Sequence, residues 1–217
     1  HISSTAVYGI PDHHPLFEDD RMIGVGPYGE SKVAAEGLCN EARENGLCVP
    51  VLRPKTFIGT ERLGVFQILF DWIVEGRRIP VIGNGKNLYQ LLAVEDLVEA
   101  ARLVSTAPAE QANTVFNVGA QTYGTVAEDL GALFEHAGTG SRLLTTPAWM
   151  AKSSLAVLEA MRMSPLYKWI YGTADQDSFV SIDRLMDLGW KPKHSNAETL
   201  IATFDWYREN KDKIPSA

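Results

Sequence analysis

Short runs of apolar and β-branched residues alternate along the chain with longer segments whose apolar side chains recur at helical spacing. That alternation leaves few folds open. A strand–helix–strand passage makes its two strands parallel, and a parallel sheet needs helices over its faces. The runs predict strands over 1–9, 49–52, 79–82, 89–94, 115–118 and 143–145, the second weakened by Pro50. The spacing predicts helices over 28–45, 64–75, 96–105, 125–138, 148–163 and 195–210. Pro27 opens the first helix and Gly46 closes it. Asp96 with Glu99, Thr125 with Glu128 and Ser195 with Glu198 have capping-box spacing. The expected fold is α/β: a partial Rossmann-like, doubly wound parallel sheet over 1–138 with interspersed segments of a smaller lobe, and 139–217 forming mainly that smaller, mostly helical lobe.

Composition narrows the function classes. Hydrophobic residues make up 45% of the 217 and charged residues 22%, enough apolar surface to build a core and too much for a disordered chain. Twenty Lys and Arg against 27 Asp and Glu give a net charge of −7, which argues against a nucleic-acid or anionic-membrane binder. No apolar run approaches the roughly 18 residues that span a bilayer. Cys39 and Cys48 make neither a disulfide framework nor a zinc pattern, as expected of reduced thiols in a cytoplasmic protein. His13 and His14 lie in a polar loop with no Cys or carboxylate cluster beside them, so no metal site is predicted. The chain opens inside a predicted strand, and partner strands are expected upstream of it.

The residues suited to chemistry lie early. Tyr28 and Lys32 stand four apart on a predicted helix and so face the same way. A phenol titrates near ~10 and is a poor base at neutral pH, but an adjacent ammonium favours its ionised form. A tyrosine tuned in this way can take a proton from an alcohol or return one to a ketone. Ser3, Ser4 and Thr5, at the end of the preceding predicted strand, are candidates to orient the substrate oxygen. Carboxyl ends of strands are where open α/β sheets place ligands.

The string Ile2-Ser3-Ser4-Thr5-Ala6-Val7-Tyr8-Gly9, followed by Pro27-Tyr28-Gly29-Glu30-Ser31-Lys32, resembles the extended short-chain dehydrogenase/reductases, the NAD-dependent epimerase/dehydratase family. The resemblance continues through Leu52-Arg53-Pro54, Ile58-Gly59, Gly83-Asn84-Gly85, Val94-Glu95-Asp96-Leu97, Phe116-Asn117-Val118-Gly119 and Leu188-Gly189-Trp190-Lys191-Pro192. It implies that Tyr28 is the catalytic acid/base, that Lys32 tunes it and bonds the nicotinamide ribose, and that Ser4 is the catalytic hydroxyl, with Thr5 as the alternative. It further implies an NAD or NADP cofactor approached by Pro54 and Thr56, and a small-molecule substrate touched by Thr5, Thr56, Lys86 and Tyr89. Hydride would pass between substrate and nicotinamide in an epimerase, a dehydratase or a dehydrogenase.

Two departures bear on that implication. No glycine-rich turn of the kind that seats a pyrophosphate on a helix N-terminus lies between His1 and Ala217, so the family's cofactor grip is expected upstream. The chain alone is then expected to bind NAD weakly, and micromolar affinity by titration calorimetry would refute this. Relatives that take sugar nucleotides clamp the diphosphate with arginines. Here Tyr89 occupies one such position and the stretch 171–175 carries none, leaving Lys86, Arg62 or Lys168 as substitutes. A less charged alcohol or ketone, as in steroid-dehydrogenase-like or flavonoid-reductase-like relatives, is the alternative substrate. A non-catalytic dinucleotide sensor is the alternative function. Val33, Gly37, Leu38 and the stretch 66–73 are expected to line a homodimer helix bundle. Trp149, Tyr167, Trp169 and Tyr171 could line a pocket or pack a core, and Met161 and Met163 are expected to fill one. Gly83-Asn84-Gly85 precedes a predicted strand and reads as a tight turn, not a phosphate loop.

Overall fold

The computed structural model describes residues 1–147 and 174–214. In chain order its elements are α1 (Gly26–Glu44), β1 (Val51–Pro54), β2 (Phe57–Ile58), α2 (Phe66–Val74), β3 (Arg78–Ile82), β4 (Leu92–Ala93), α3 (Val94–Thr106), α4 (Ala109–Ala112), β5 (Val115–Val118), α5 (Val126–Ala137), β6 (Arg142–Thr146), α6 (Asp183–Asp187) and α7 (Asn196–Asn210). The helix expected over 148–163, its methionines, Lys168 and the aromatic set at 149, 167, 169 and 171 lie outside the described residues.

The chain divides into two compact units, each assembled from three separate segments. One comprises His1–Phe57, Gln90–Thr122 and Ser178–Ser195; the other Ile58–Tyr89, Tyr123–Asp177 and Asn196–Ala217. The two units interleave along the chain, and 178–195 joins the unit that begins at His1.

In the first unit β1 pairs in parallel with β5, from Val51 opposite Val115 to Pro54 opposite Val118. On the other side of β1, Ile2 bridges in parallel to Leu52, and Ser3 N–H donates to Leu52 O at 2.7 Å. All four residues of β1 are buried, as a central parallel strand requires. Helix α3 buries Leu97, Ala100 and Val104, one stripe of a 3.6-residue repeat, in a core shared with Leu52, Phe116, Val118, Leu185 and Trp190.

In the second unit β3 and β6 pair in parallel, Arg78 opposite Arg142 through Ile82 opposite Thr146. Phe70 of α2 packs edge-on against Phe204 of α7, with ring centroids 5.6 Å apart. Thr125 and Glu128 form a full capping box for α5, and Gly138 ends that helix in the left-handed region. Gly83 and Gly85 both have positive φ, and Asn84 Oδ1 accepts from Lys86 N–H at 3.0 Å, so this segment is the expected tight turn.

Three local expectations are corrected. The strand expected over 1–9 stops after Ile2: Ser4 accepts the N–H of Ala6 and caps a 3-10 turn, Thr5–Tyr8, that buries Val7 and Tyr8. The strand expected over 89–94 shrinks to Leu92–Ala93, because Val94 already begins α3. Asp96 does not cap α3, which starts after Ala93 without a side-chain cap. Its buried carboxylate instead accepts the N–H groups of Lys193 and His194 at 3.1 and 3.0 Å, fastening the Trp190–His194 stretch to the helix. Helix α1 runs as expected and ends in a Schellman motif, with Gly46 at φ +86, Gly46 N–H on Arg43 O and Leu47 N–H on Ala42 O.

Candidate active site

Helix α1 presents Tyr28, Lys32 and Glu36 one turn apart along a single face. Their environments change along that face. Tyr28 is 54% exposed, Lys32 is half-buried and Glu36 is fully buried. The Lys32 ammonium stands 5.8 Å from the centroid of the Tyr28 ring and donates to Ile2 O at 3.0 Å. The two groups chosen for their spacing therefore do meet, and the lysine ties α1 to the chain segment that leads into Ser4.

The 3-10 turn bearing Ser4 and Thr5 packs on the first turn of α1. Gly29, beside Tyr28, is buried, and a Cβ there would stand 2.7 Å from Ala6 O and about as close to the Gly24 backbone. Only a residue without a side chain permits this approach. Ser4 Oγ accepts from Ala6 N–H at 3.2 Å; Ser4 and Thr5 are both half-buried. Ser3 points the other way and donates to Glu36 from a buried position.

Beneath this surface lies a buried polar network. Arg53 on β1 forms a two-pronged pair with Glu36, Nη2 to Oε2 at 2.6 Å and Nε to Oε1 at 2.9 Å. Its Nη1 donates to Tyr8 Oη and to Glu18 O, each at 2.8 Å, and Nη2 also reaches Met22 Sδ at 2.9 Å. Tyr8 Oη donates to Asn117 Oδ1 at 2.6 Å, and Asn117 N–H donates to Glu18 Oε1 at 2.9 Å. Burial pushes the Tyr8 phenol up to about 12 against the opposing pull of Arg53, so Tyr8 remains a neutral donor. Burial also raises the Glu18 carboxyl. Glu36 and Glu18 escaped sequence reading; the only available signal was the four-residue interval from Lys32 to Glu36.

At the carboxyl end of β1, Pro54 is buried and Thr56 is exposed; Thr56 O accepts from Leu92 N–H at 3.0 Å. Lys55 between them is 6% exposed, donates to Ser178 Oγ at 2.7 Å, and has its amine pushed down to about 8 by burial. Lys86 and Tyr89 belong to the second unit, where Lys86 is exposed and Tyr89 O accepts from Asn196 Nδ2 at 2.6 Å. Arg62 lies in the same unit, in a turn closed by the Gly59–Arg62 bridge. Among the described residues, no group of three or more His, Cys, Asp or Glu side chains is arranged to hold a metal ion. His13 instead contacts Asp12 and Asp20 at 2.8 and 3.0 Å. No helix of the described residues is long and apolar enough to cross a membrane.

The chain is 36% identical over 217 residues to the protein y4nG of Sinorhizobium fredii, covering 98% of this chain and 53% of that one. It is 26% identical to a dTDP-glucose 4,6-dehydratase of Streptomyces antibioticus, covering 97% of this chain and 57% of the relative. The chain thus spans about half the length of the curated relatives it matches. The crystal structure of the Thermotoga maritima UDP-glucose 4-epimerase with UDP-glucose superposes with a TM-score of 0.74 at 24% identity, over 97% of this chain and 63% of that one, and so shares the Rossmann-type α/β fold. The model of the NAD dependent epimerase/dehydratase family matches residues 1–119, which hold Ser4, Tyr28, Lys32 and Arg53. With the Tyr28–Lys32 pair inside the matched region, the chain belongs to the NAD dependent epimerase/dehydratase family.

Proposed function

We propose that the protein is an NAD(P)-dependent epimerase, dehydratase or dehydrogenase that works on a hydroxyl or keto carbon of a small molecule, with a nucleotide sugar as the leading substrate class. One observation carries the reading: the Lys32 ammonium held over the ring of a half-exposed Tyr28, beside the turn that bears Ser4. The kinship with a dTDP-glucose 4,6-dehydratase supports the substrate class.

The residues present fit a dinucleotide at this point. Among the described residues the Lys32 ammonium donates to one acceptor, Ile2 O, and an ammonium has three N–H donors. The remaining donors suit ribose hydroxyls. When bound, the cofactor supplies the hydride acceptor and donor. The chain's own part is the proton: Tyr28 takes it from the substrate hydroxyl and returns it, Lys32 stands over the Tyr28 ring, and the Ser4 hydroxyl orients the substrate oxygen. Pro54 and Thr56, at the carboxyl end of β1, would hold the nicotinamide, and Thr5 and Thr56 would contact the substrate.

The test is Tyr28→Phe in the full-length protein, with NAD and UDP-glucose or dTDP-glucose as probes and products resolved by NMR. Turnover should fall by about 10²-fold or more while NAD affinity holds. Undiminished turnover would end the assignment. Tyr89, standing where an arginine would clamp a diphosphate, favours a second reading with an uncharged alcohol or ketone as substrate. Turnover of a simple secondary alcohol, with none of either sugar nucleotide, would select it. A homodimer is part of the proposal: α1 leaves Leu38 exposed and α2 leaves Ile68 exposed. Light scattering that finds a monomer would remove that part.

A further inference from the structure

We propose that Arg53 is the positioning residue of this site: one buried guanidinium sets the register of Tyr28, Lys32 and Ser4. The inference deepens the function proposed above and rests on it.

Every N–H of the Arg53 guanidinium has an acceptor, and these acceptors lie on the pieces of chain that carry or flank the candidate catalytic groups. Nε and one proton of Nη2 go to Glu36, which shares the α1 face with Tyr28 and Lys32. One proton of Nη1 goes to Tyr8, at the far end of the 3-10 turn that Ser4 caps. The remaining two go to Glu18 O and Met22 Sδ, on the loop joining that turn to α1. The guanidinium also lies over the Tyr8 ring, 4.9 Å from its centroid. Arg53 itself sits in the middle of β1, opposite Asn117 of β5, and Asn117 accepts the Tyr8 hydroxyl. From the other side, Ser3 donates to the same Glu36 carboxylate, and Lys32 to Ile2 O. Helix, turn and loop are therefore referred to a single rigid point in the sheet.

Arg53 and Glu36 are both 2% exposed. A buried ion pair adds little net stability over an apolar pair of the same volume, because desolvation cancels most of the attraction. A planar fork with fixed donor directions does define orientation, and a lysine cannot replace it, having one nitrogen and no plane. The network's distinctive effect is thus on where Tyr28 and Ser4 stand, more than on how tightly the unit folds.

The experiment places 3-fluorotyrosine at position 28 of the full chain and reads its ¹⁹F resonance, with turnover of UDP-glucose and NAD affinity measured in parallel. In Arg53→Lys the resonance should move and broaden, kcat should fall at least about tenfold, and KM and NAD affinity should stay within about twofold. Glu41→Gln, on the exposed side of α1, should change none of these. An unmoved resonance in folded Arg53→Lys overturns the inference, as does an unchanged kcat in a protein that turns the probe over. Glu36→Gln carries the same test if Arg53→Lys does not fold. Failure of the underlying function shows separately, as full turnover in Tyr28→Phe, and leaves the fluorine result to decide the positioning claim.

Discussion

Lys55 gives the most direct electrostatic prediction. Its side chain is buried at the end of β1 with Ser178 Oγ at 2.7 Å, and burial lowers its amine from 10.5 to about 8. At about 1.4 kcal/mol per pH unit, a charged Lys55 costs the folded state about 3 kcal/mol. Below pH 8 the folded and unfolded chains both carry the proton, and that cost is constant. Between 8 and 10.5 the unfolded chain binds more protons than the folded one, so stability rises with pH; above 10.5 both are neutral and the cost has gone. About 2 kcal/mol of the rise falls between about pH 7 and about pH 9.5. The raised phenols of Tyr8 and Tyr207, at about 12, begin to remove stability only as pH passes their unfolded value of 10.0, so they leave this window nearly clear. Lys55→Met removes the charge and keeps most of the volume. Unfolding free energies from urea titrations should rise between the two pH values by about 2 kcal/mol more in the parent than in the variant. Identical pH dependence in the two proteins would refute the burial argument, since an amine with an ordinary value contributes no slope there.

Two further substitutions test the packing of the first unit. Gly119→Ala would place a Cβ 2.5 to 2.7 Å from the side-chain amide of Gln90, which is held in place by Ala120 O and Val180 N–H; a loss of about 1–3 kcal/mol by urea denaturation is expected, and an unchanged midpoint would refute the close contact. Asp96→Ala removes the acceptor for Lys193 and His194 N–H, and should cost about 2–4 kcal/mol and speed hydrogen exchange at those two amides; unaltered exchange would show that the latch is not formed.

What could be read from the sequence and what could not follow from how far apart the interacting residues lie. Tyr28 and Lys32 are four residues apart on a helix with clear boundaries, so their meeting is a local consequence of helical geometry, and the structure brings them to 5.8 Å. That strands such as β1 and β5 run parallel followed from strand–helix alternation, but which strands pair did not. The Ser-Ser-Thr run misled because two local forces compete there. β-branched residues favour a strand, while a serine that can bond the N–H two residues on favours a turn, and once Tyr8 is drawn into the core the turn prevails. Asp96 misled in a similar way. A carboxylate three residues before a glutamate has capping spacing, but the N–H donors it serves come from residues about a hundred positions later, and no local pattern records them. Arg53 is the furthest case. It bonds Glu36, 17 residues before it, and Tyr8, 45 residues before it. In the sequence it is one arginine between an expected strand and a proline, where the ordinary expectation is a side chain seeking solvent. The sheet decides otherwise: a residue in the middle of a central parallel strand has no exit to water, so a charge placed there must gather its partners from whatever elements cross above it. Those elements are the helix with Tyr28 and Lys32 and the turn with Ser4. The meeting of Tyr28 and Lys32 can therefore be read from helical spacing, while the Arg53 contact that ties their helix to the sheet exists only once the strands have paired.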